Sequence, residues 1–217
     1  GAENSDESGA VYVFRFDGSE WSQEAKLESN NPIPGDQFGR SVSLDNDCLM
    51  IGAPLNDENG NNAGAVYVYC SDGTSWEGEI LLASDGNAGD EFGYSVSLDG
   101  DNALIGARYV DDNFPNSGAA YVYYFDGTIW VEHQKLHAMN GEPNDQFGYS
   151  VSLDNDTAIA GAYKKYSYAG SAYLFRSEGD YWSQEAEILP SDGMNNDKFG
   201  WSACLSGNTA IISAHHH

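Results

Sequence analysis

The feature that most constrains this chain is an internal repeat with a period of about fifty residues. The pair Phe-Gly recurs at spacings of 54, 55 and 52 residues, at Phe38-Gly39, Phe92-Gly93, Phe147-Gly148 and Phe199-Gly200. Tryptophan recurs in step, at Trp21, Trp76, Trp130 and Trp182. Gly-Ala recurs at Gly52-Ala53, Gly106-Ala107 and Gly161-Ala162, with the variant Ser213-Ala214. A repeat of this length, rich in glycine and aromatic residues, favours the blades of a β-propeller over helical repeats.

Each unit reads as four β-strands. Alternation over residues 92–98 places the large side chains on one face and Gly93, Ser95 and Ser97 on the other. Residues 103–107, 119–125 and 130–136 supply the other three strands, in which β-branched and aromatic side chains predominate. Asp-Gly pairs between the third and fourth strands are typical of tight hairpins, because glycine accepts a positive φ. The small face fits the innermost strand, where neighbouring blades approach closely.

The predicted fold is all-β: a β-propeller of four blades, each of four antiparallel strands. The chain starts before a third strand and stops after a second strand. We therefore expect residues 10–27 to pair with residues 199–214, which would close the ring and remove two sheet edges. The alternative is a slice of a larger ring. Residues 1–214 form one domain in this interpretation, and His215 to His217 are interpreted as a purification-tag remnant.

The charge balance narrows the function. Nine lysines and arginines stand against 34 aspartates and glutamates, a net charge of −25. This argues against nucleic-acid binding, which needs a basic face, and against docking on an anionic membrane. Aromatic residues make up 13 % of the chain, which argues against an acidic disordered segment. The apolar runs are too short to span a bilayer. We expect a monomer.

Two sets of aspartates repeat with the units. The turns between the first and second strands carry six carboxylates that a ring would bring to one end: Asp45, Asp47, Asp99, Asp101, Asp154 and Asp156. They either hold a shared cation such as Ca²⁺ or satisfy turn backbone. The second set stands two residues before each Phe-Gly, at Asp36, Asp90, Asp145 and Asp197. Its regularity favours a structural role, accepting a backbone N–H where the chain enters the next blade.

The connections between the second and third strands differ from unit to unit, as ligand-binding loops on a rigid scaffold do. One loop holds two of the nine basic residues beside three tyrosines, a combination suited to an acidic or sugar-like ligand. A solvated rim loop is the alternative. The candidate ligand residues in these loops are Asp57, Glu58, Asp111, Asp112, Phe114, Tyr163, Lys164, Lys165, Tyr166 and Tyr168.

The three cysteines divide into a pair and a single residue. Cys48 begins a second strand and Cys70 ends the following third strand. If that hairpin turns near Glu58, the two are cross-strand neighbours, and a disulfide would suit a secreted protein. One residue of register error would separate them. Cys204 lies on the small face of a first strand, where we expect a buried residue.

These motifs resemble a known repeat. The run from Phe92 to Leu98, followed by residues 104–107, resembles the FG-GAP repeat of integrin α-subunit propellers and of bacterial and algal surface proteins. Phe38-Gly39 with Gly52-Ala53-Pro54 spells the signature. The resemblance implies a β-propeller on an extracellular or cell-surface protein, used in adhesion and usually not catalytic. The short acidic turns lack the calcium loop of integrin repeats, so that site does not carry over.

We therefore expect a secreted, non-enzymatic binding or adhesion module whose ligand, an extracellular protein or a glycan, contacts the variable loops. One alternative is a carbohydrate-binding lectin, because the repeated tryptophans could provide a sugar site in each blade. The other alternative is a structural spacer in a longer surface protein. The only cofactor considered is Ca²⁺ at the acidic turns.

Overall fold

A computed structural model describes residues 8–216, in which antiparallel β-strands predominate. The strands fall into sheets along the chain. The first five sheet elements are β1 (Val11–Phe16), β2 (Trp21–Leu27), β3 (Ser41–Asp45), β4 (Cys48–Ala53) and β5 (Ala65–Ser71). The next five are β6 (Trp76–Leu81), β7 (Phe92–Asp99), β8 (Asn102–Ala107), β9 (Ala119–Phe125) and β10 (Trp130–Leu136). The remainder are β11 (Ser150–Asp154), β12 (Thr157–Ala162), β13 (Ser171–Ser177), β14 (Trp182–Ile188), β15 (Phe199–Ser206) and β16 (Thr209–Ala214), with α1 (Lys165–Tyr168) before β13.

Three sheets contain the four strands of one complete unit each. They are β3–β6, β7–β10 and β11–β14, and in each one the strands pair in chain order. The sheets follow one another like propeller blades, with the first strand of each packed against the first strand of the next. The structure is therefore all-β and propeller-like, as the repeat predicts. No helix among residues 8–216 is long and apolar enough to cross a membrane.

The predicted fourth blade is not formed. Strands β1 and β2 make one two-stranded sheet and β15 and β16 make another, so residues 10–27 do not pair with residues 199–214 here. The contacts between sheets run along the chain, with β3 packed against β7, β7 against β11, and β11 against β15. Among residues 8–216 no hydrogen-bonded ladder joins β16 to β1, so each terminal pair of strands remains a separate sheet. The sequence prediction assumed that the number of blades equals the number of repeats.

The junction contacts come from the small face of each first strand. Three serine hydroxyls donate to the carbonyl oxygen of the Phe-Gly glycine in the next unit, each at 2.9 Å: Ser41 to Gly93, Ser95 to Gly148 and Ser150 to Gly200. Two residues further on, a serine hydroxyl accepts a backbone N–H from the next unit, also at 2.9 Å: Ser43 from Leu98, Ser97 from Leu153 and Ser152 from Leu205. The hydroxyls of the small face thus tie neighbouring sheets together.

The opposite face of each first strand fills the core. Phe92 is fully buried, and its ring meets the edge of Tyr121 at 5.2 Å between centroids. Val96 is 9 % exposed, whereas Val42 in the same position of β3 is 59 % exposed. The difference arises because no preceding first strand covers β3. Cys204 is exposed for the converse reason: no following sheet covers the small face of β15, so the predicted burial of this residue is wrong.

Candidate ligand-binding site

The first strands of the four units line one groove. A cavity of about 340 Å³ runs along them, bordered by Arg40 to Val42, Tyr94 to Val96, Tyr149 to Val151 and Trp201 to Ala203. One residue from each unit, the one directly after Phe-Gly, stands at the end of this groove: Arg40, Tyr94, Tyr149 and Trp201. The repeat therefore places four large side chains, contributed by four different units, around a single opening.

The aromatic rings at this opening contact one another. Tyr149 lies 5.0 Å from Tyr94, 4.3 Å from Tyr163 and 4.9 Å from Trp201, measured between ring centroids. Tyr163 follows the Gly-Ala pair of its unit, just as Arg108 follows the pair of the preceding unit. The residues after the two repeated dipeptides thus meet in space. The three tyrosines are buried, and Trp201 is half-buried.

Four cations surround these rings. The guanidinium carbon of Arg108 lies 3.8 Å from the Tyr94 centroid, and that of Arg40 lies 4.3 Å from the same centroid. Lys164 Nζ is 5.7 Å from the Tyr163 centroid, and Lys198 Nζ is 5.4 Å from that of Trp201. Such contacts are attractive because the face of an aromatic ring is electron-rich. We name the set the mouth cluster: Arg40, Tyr94, Arg108, Tyr149, Tyr163, Lys164, Lys198 and Trp201.

The electrostatics of the mouth cluster are those of a positive patch. Arg108 Nε donates to Glu91 Oε2 at 2.7 Å, and Arg40 donates to the hydroxyl of Tyr94 at 2.6 Å. Burial lowers the pKa of Lys164, and the charges of Arg108 and Lys198 lower it further. Burial likewise raises the pKa of Tyr163, to about 12. The cluster thus presents cations to a ligand, above a layer of buried tyrosine rings.

The deviant loop contributes part of this cluster. Tyr163 and Lys164 belong to it, and Tyr168 lies 6.3 Å from Tyr163 between centroids. Element α1 is a left-handed turn more than a helix, because Tyr166 and Ser167 have φ values of +52° and +59°. Non-glycine residues rarely adopt this conformation. The turn leaves the rings of Tyr166 and Tyr168 exposed, at 42 % and 41 %.

Lys165 is not available to a ligand, contrary to the sequence prediction. Its side chain is buried, and its ammonium group donates to Asp145 Oδ2 at 2.9 Å and to the Asn140 carbonyl at 2.7 Å. Asp145 is one of the aspartates that precede Phe-Gly, and it also accepts the Glu142 N–H at 2.7 Å. Asp90 and Asp197 accept a backbone N–H in the same way. The structural role predicted for this set is confirmed at these three positions.

The acidic residues predicted to bind a ligand, Asp57, Glu58, Asp111 and Asp112, are not members of the mouth cluster. Asp57 and Asp111 are exposed, and each accepts a backbone N–H five residues ahead, from Asn62 and Asn116, at 2.7 Å. Asp112 forms an ion pair with Lys135 and lies 3.6 Å from His137. Glu58 and Phe114 are exposed. Asp57 and Asp111 therefore hold their own loops, and of these residues only Phe114 presents an apolar surface, at 46 % exposure.

The acidic turns do not form a cation site in the described residues. No three carboxylate, histidine or cysteine side chains between residues 8 and 216 lie close enough to hold a metal ion. Asp45, Asp99 and Asp154 instead accept a backbone N–H from the next unit, donated by Gly100, Asn155 and Gly207. Asp156 bonds to Arg176 at 3.1 Å, and Asp47 lies 4.0 Å from Arg15; Asp101 uses its backbone carbonyl to bond Phe125. The carboxylates of the acidic turns, held apart in this way, do not provide the six to eight oxygens that Ca²⁺ needs.

Two further sequence features take definite places. Cys48 and Cys70 are register partners on β4 and β5, and a disulfide joins them across a Cα–Cα distance of 4.1 Å. The repeated tryptophans are unequal, since Trp21 is 70 % exposed and Trp182 is buried. Trp182 borders a cavity of about 720 Å³ between two sheets, with Tyr124, His133 and Asp180. Equivalent sugar sites in every blade would require similar exposure of the repeated tryptophans, which the structure does not show.

Sequence reasoning missed six members of the mouth cluster. Arg40, Tyr94, Tyr149 and Trp201 read as alternating strand residues, Arg108 as the start of a loop, and Lys198 as part of a connection between strands. A usable signal was present for the first four, because they occupy one repeat position, directly after Phe-Gly. Lys198 stands one residue before Phe-Gly, where Glu91 also stands, and both positions have a positive φ.

Comparison with known proteins shows which sequences this chain is similar to. The chain is 29 % identical over 209 residues to human integrin alpha-7, which covers 88 % of this chain and 17 % of that protein. It is 25 % identical over 173 residues to integrin alpha-6 of Gallus gallus, covering 72 % of this chain and 16 % of that protein. The chain thus spans about a sixth of the length of these relatives. The crystal structure of Saccharomyces cerevisiae Sqt1 superposes on 73 % of this chain and 38 % of its own, with a TM-score of 0.46 and 12 % identity, which is too weak a likeness to extend the description of the fold.

The family comparison covers most of the chain. The FG-GAP repeat matches residues 21–69, 77–123, 130–175 and 182–217. Each matched segment begins at or next to a repeated tryptophan and contains one Phe-Gly pair. In the structure each segment therefore joins the fourth strand of one sheet to the first strands of the next. The chain belongs to the FG-GAP repeat family.

Proposed function

We propose that this chain is a non-enzymatic extracellular binding or adhesion module of the integrin-like FG-GAP type, with the mouth cluster as its ligand-binding site. The observation that carries the proposal is that four units each contribute their residue after Phe-Gly to one opening. Three of these residues are aromatic and the fourth is arginine, side-chain types that are enriched at binding hot spots. The loop that departs most from the repeat borders the same opening.

The integrin α relatives support the setting of this proposal. Both are named as integrin α subunits, and the chain matches about a sixth of their length. By this resemblance the module acts at the cell surface or outside the cell. The Cys48–Cys70 disulfide suits the same oxidising environment.

The chemistry of the mouth cluster favours binding over catalysis. Its groups are guanidinium, ammonium, phenol and indole, which recognise shape and charge. Three of the serines that line the groove, Ser41, Ser95 and Ser150, each donate their hydroxyl to a carbonyl oxygen. A nucleophile needs an adjacent base to activate it, and these hydroxyls serve the junctions between sheets instead.

A binding screen with matched variants tests the proposal. The protein is applied to a glycan array and to a library of immobilised peptides, beside Tyr163→Ala, Arg108→Ala and the control Arg176→Ala. Arg176 lies away from the mouth cluster and pairs with Asp156 and Glu185, so its loss should leave binding unchanged. Circular dichroism checks that each variant folds.

We expect Arg108→Ala and Tyr163→Ala to abolish the signal that the unmodified protein gives. Equal binding by all variants would remove the mouth cluster as the site. Binding that Trp182→Ala abolishes and Arg108→Ala does not would favour the lectin alternative at the inter-sheet cavity. No signal on either surface would favour the spacer alternative.

A further inference from the structure

The basic residues of this chain fall into two groups by their partners. Six of the nine form ion pairs with carboxylates: Arg15, Lys26, Arg108, Lys135, Lys165 and Arg176. Arg40, Lys164 and Lys198 form none with the carboxylates of residues 8–216, and all three belong to the mouth cluster. This is unexpected in a chain with 34 acidic residues. Cations that stay unpaired amid such an excess of acids mark a place for an external anion.

The arrangement of these cations sharpens the point. Arg40 and Arg108 place two guanidinium groups against the single ring of Tyr94. Only Arg108 has a carboxylate partner, Glu91, whose side chain is 13 % exposed. Lys198 Nζ lies 3.5 Å from His216 Nε2, and this contact supplies no negative charge. Like charges held this close repel one another, and an anion between them would offset that repulsion.

We propose that the mouth cluster binds a short acidic oligosaccharide, whose sulfate or carboxylate groups contact Arg40 at one side of the cluster and Lys164 and Lys198 at the other. This inference rests on the proposed function and names the ligand class of that site. Charge-assisted hydrogen bonds from arginine and lysine hold such groups. The exposed rings of Tyr166 and Tyr168 stand beside Lys164, whose Nζ is 5.9 Å from the Tyr168 centroid. They offer flat surfaces on which sugar rings can pack.

An acidic peptide fits the mouth less well. Extended peptides usually gain affinity from main-chain hydrogen bonds to an open strand edge. At the mouth cluster, three backbone N–H groups already donate to backbone carbonyl oxygens. The pairs are Tyr94 with Glu91, Tyr149 with Gln146, and Trp201 with Lys198. Side chains are what this opening presents. A ligand that is recognised by anionic groups and ring faces matches those side chains.

Calorimetric titration with defined probes tests the inference. The probes are a heparin-derived hexasaccharide, a hexaguluronate that carries only carboxylates, neutral cellohexaose, and hexaglutamate peptide. The variants are Lys164→Gln and Lys198→Gln, and the matched control is Lys26→Gln. Lys26 is an exposed cation on β2 that pairs with Glu28. The glutamine substitutions remove a charge while keeping most of the side-chain length.

We expect at least one acidic sugar to bind, more weakly as salt rises, and cellohexaose not to bind. Lys164→Gln and Lys198→Gln should each weaken binding by about tenfold, the effect of one lost charge-assisted contact. Equal weakening by Lys26→Gln, equal binding of cellohexaose, or tighter binding of hexaglutamate would each overturn the inference. If neither acidic sugar binds but the screen above finds another ligand sensitive to Arg108→Ala, the ligand class is wrong while the proposed function stands.

Discussion

A Cβ atom on Gly106 would lie 2.0 Å from the carbonyl oxygen of Gly148, in the neighbouring sheet. The same distance is 1.9 Å for Gly52 against Gly93 and 2.1 Å for Gly161 against Gly200. The glycine of Gly-Ala in one unit therefore touches the glycine of Phe-Gly in the next. The repeated dipeptides are the two sides of one junction, which explains why they recur together.

Gly106→Ala should destabilise the protein. The added methyl group must push two sheets apart or strain the backbone, so we expect the free energy of unfolding to fall by about 1–3 kcal/mol in urea titrations. Gly141→Ala is the control, because its nearest neighbour, the Ala138 carbonyl oxygen, lies 3.2 Å away. Equal effects of the two substitutions would show that the junction is not what requires glycine.

Lys165→Val should remove a buried ion pair. It leaves the Asp145 carboxylate without its cation, and breaking such a pair typically costs about 3–5 kcal/mol of unfolding free energy. Lys165→Asn should lose less, because it copies the first unit, where Asn56 Nδ2 donates to Asp36 Oδ2 at 2.8 Å. Thermal and urea unfolding of both variants would measure this order. Equal losses would mean that the charge, not the hydrogen bond, is what Asp145 requires, and a smaller loss for Lys165→Val would contradict the prediction.

Asp90 should make stability fall as pH rises. Burial raises the pKa of Asp90 above its usual value, while the Asn87 N–H lowers it, and Val110 stands where the next unit has Lys165. The folded protein therefore holds this proton to higher pH than the unfolded chain does. The contribution of Asp90 to stability is fully present below the pKa that Asp90 has in the unfolded chain. It is lost as pH rises through the pKa that Asp90 has in the folded protein. Asp90→Asn should reduce that loss in melting curves recorded from acid to neutral pH.

Asp72 supplies the opposite control. Hydrogen bonds from the Thr74 hydroxyl and from the backbone of Ser75 and Thr74 lower the pKa of Asp72 to about 2. Its contribution to stability is present above the unfolded pKa and is lost as pH falls through the folded pKa. Asp72→Asn should therefore change stability at neutral pH and leave it unchanged in strong acid. Identical pH profiles for Asp90→Asn and Asp72→Asn would contradict both assignments.

The free edges of β1 and β16 can be probed with cysteines. Cys48 and Cys70 face each other across the second and third strands of their sheet. In the other two complete sheets the equivalent facing pairs are Asn102–Tyr124 and Thr157–Arg176. The equivalent positions in the two-stranded sheets are Thr209 on β16 and Arg15 on β1. The variant combines Arg15→Cys and Thr209→Cys with Cys204→Ser, which removes the free thiol. We expect it to form disulfides between two chains, because the unpaired backbone groups of an edge strand can pair with another chain. Non-reducing electrophoresis at several concentrations measures this.

The single Arg15→Cys variant shows how much crosslinking is nonspecific. A monomer whose mass lacks two thiol hydrogens beyond those lost in the Cys48–Cys70 disulfide would show that the ring closes within one chain, and the arrangement of separate two-stranded sheets would then be wrong in solution. Reduction should return all species to the monomer.

Calcium should leave the melting temperature unchanged. Asp45, Asp99 and Asp154 already accept backbone N–H groups of the next unit, so few of their oxygens remain for a cation. Binding to the folded state alone would raise the melting temperature. Scans in excess Ca²⁺ and in chelator measure the difference. A clear rise with Ca²⁺ would restore the acidic turns as a cation site, and Asp99→Asn would then assign it.

The sequence by itself determined the strands, the hairpins and the order of the units. Alternation in residues 92–98 predicted the small and large faces; in the structure the small face bonds to the next sheet and the large face packs in the core. The aspartates before Phe-Gly were also recognisable as structural, because a residue that occurs at the same position of every unit is expected to serve the fold that the units share. The family followed from the same residues.

Only the tertiary structure decided which side chains meet and which edges stay open. Arg108 and Tyr94 stand 14 positions apart in the sequence numbering, and nothing local brings a guanidinium onto that ring. Lys164 and Lys165 are adjacent and chemically alike, yet one joins the mouth cluster and the other is buried against Asp145. Whether β16 pairs with β1 is likewise a matter of tertiary packing, and the structure leaves their two sheets separate. A repeat specifies its own strands through short-range patterns, whereas convergence of different units depends on how the sheets pack.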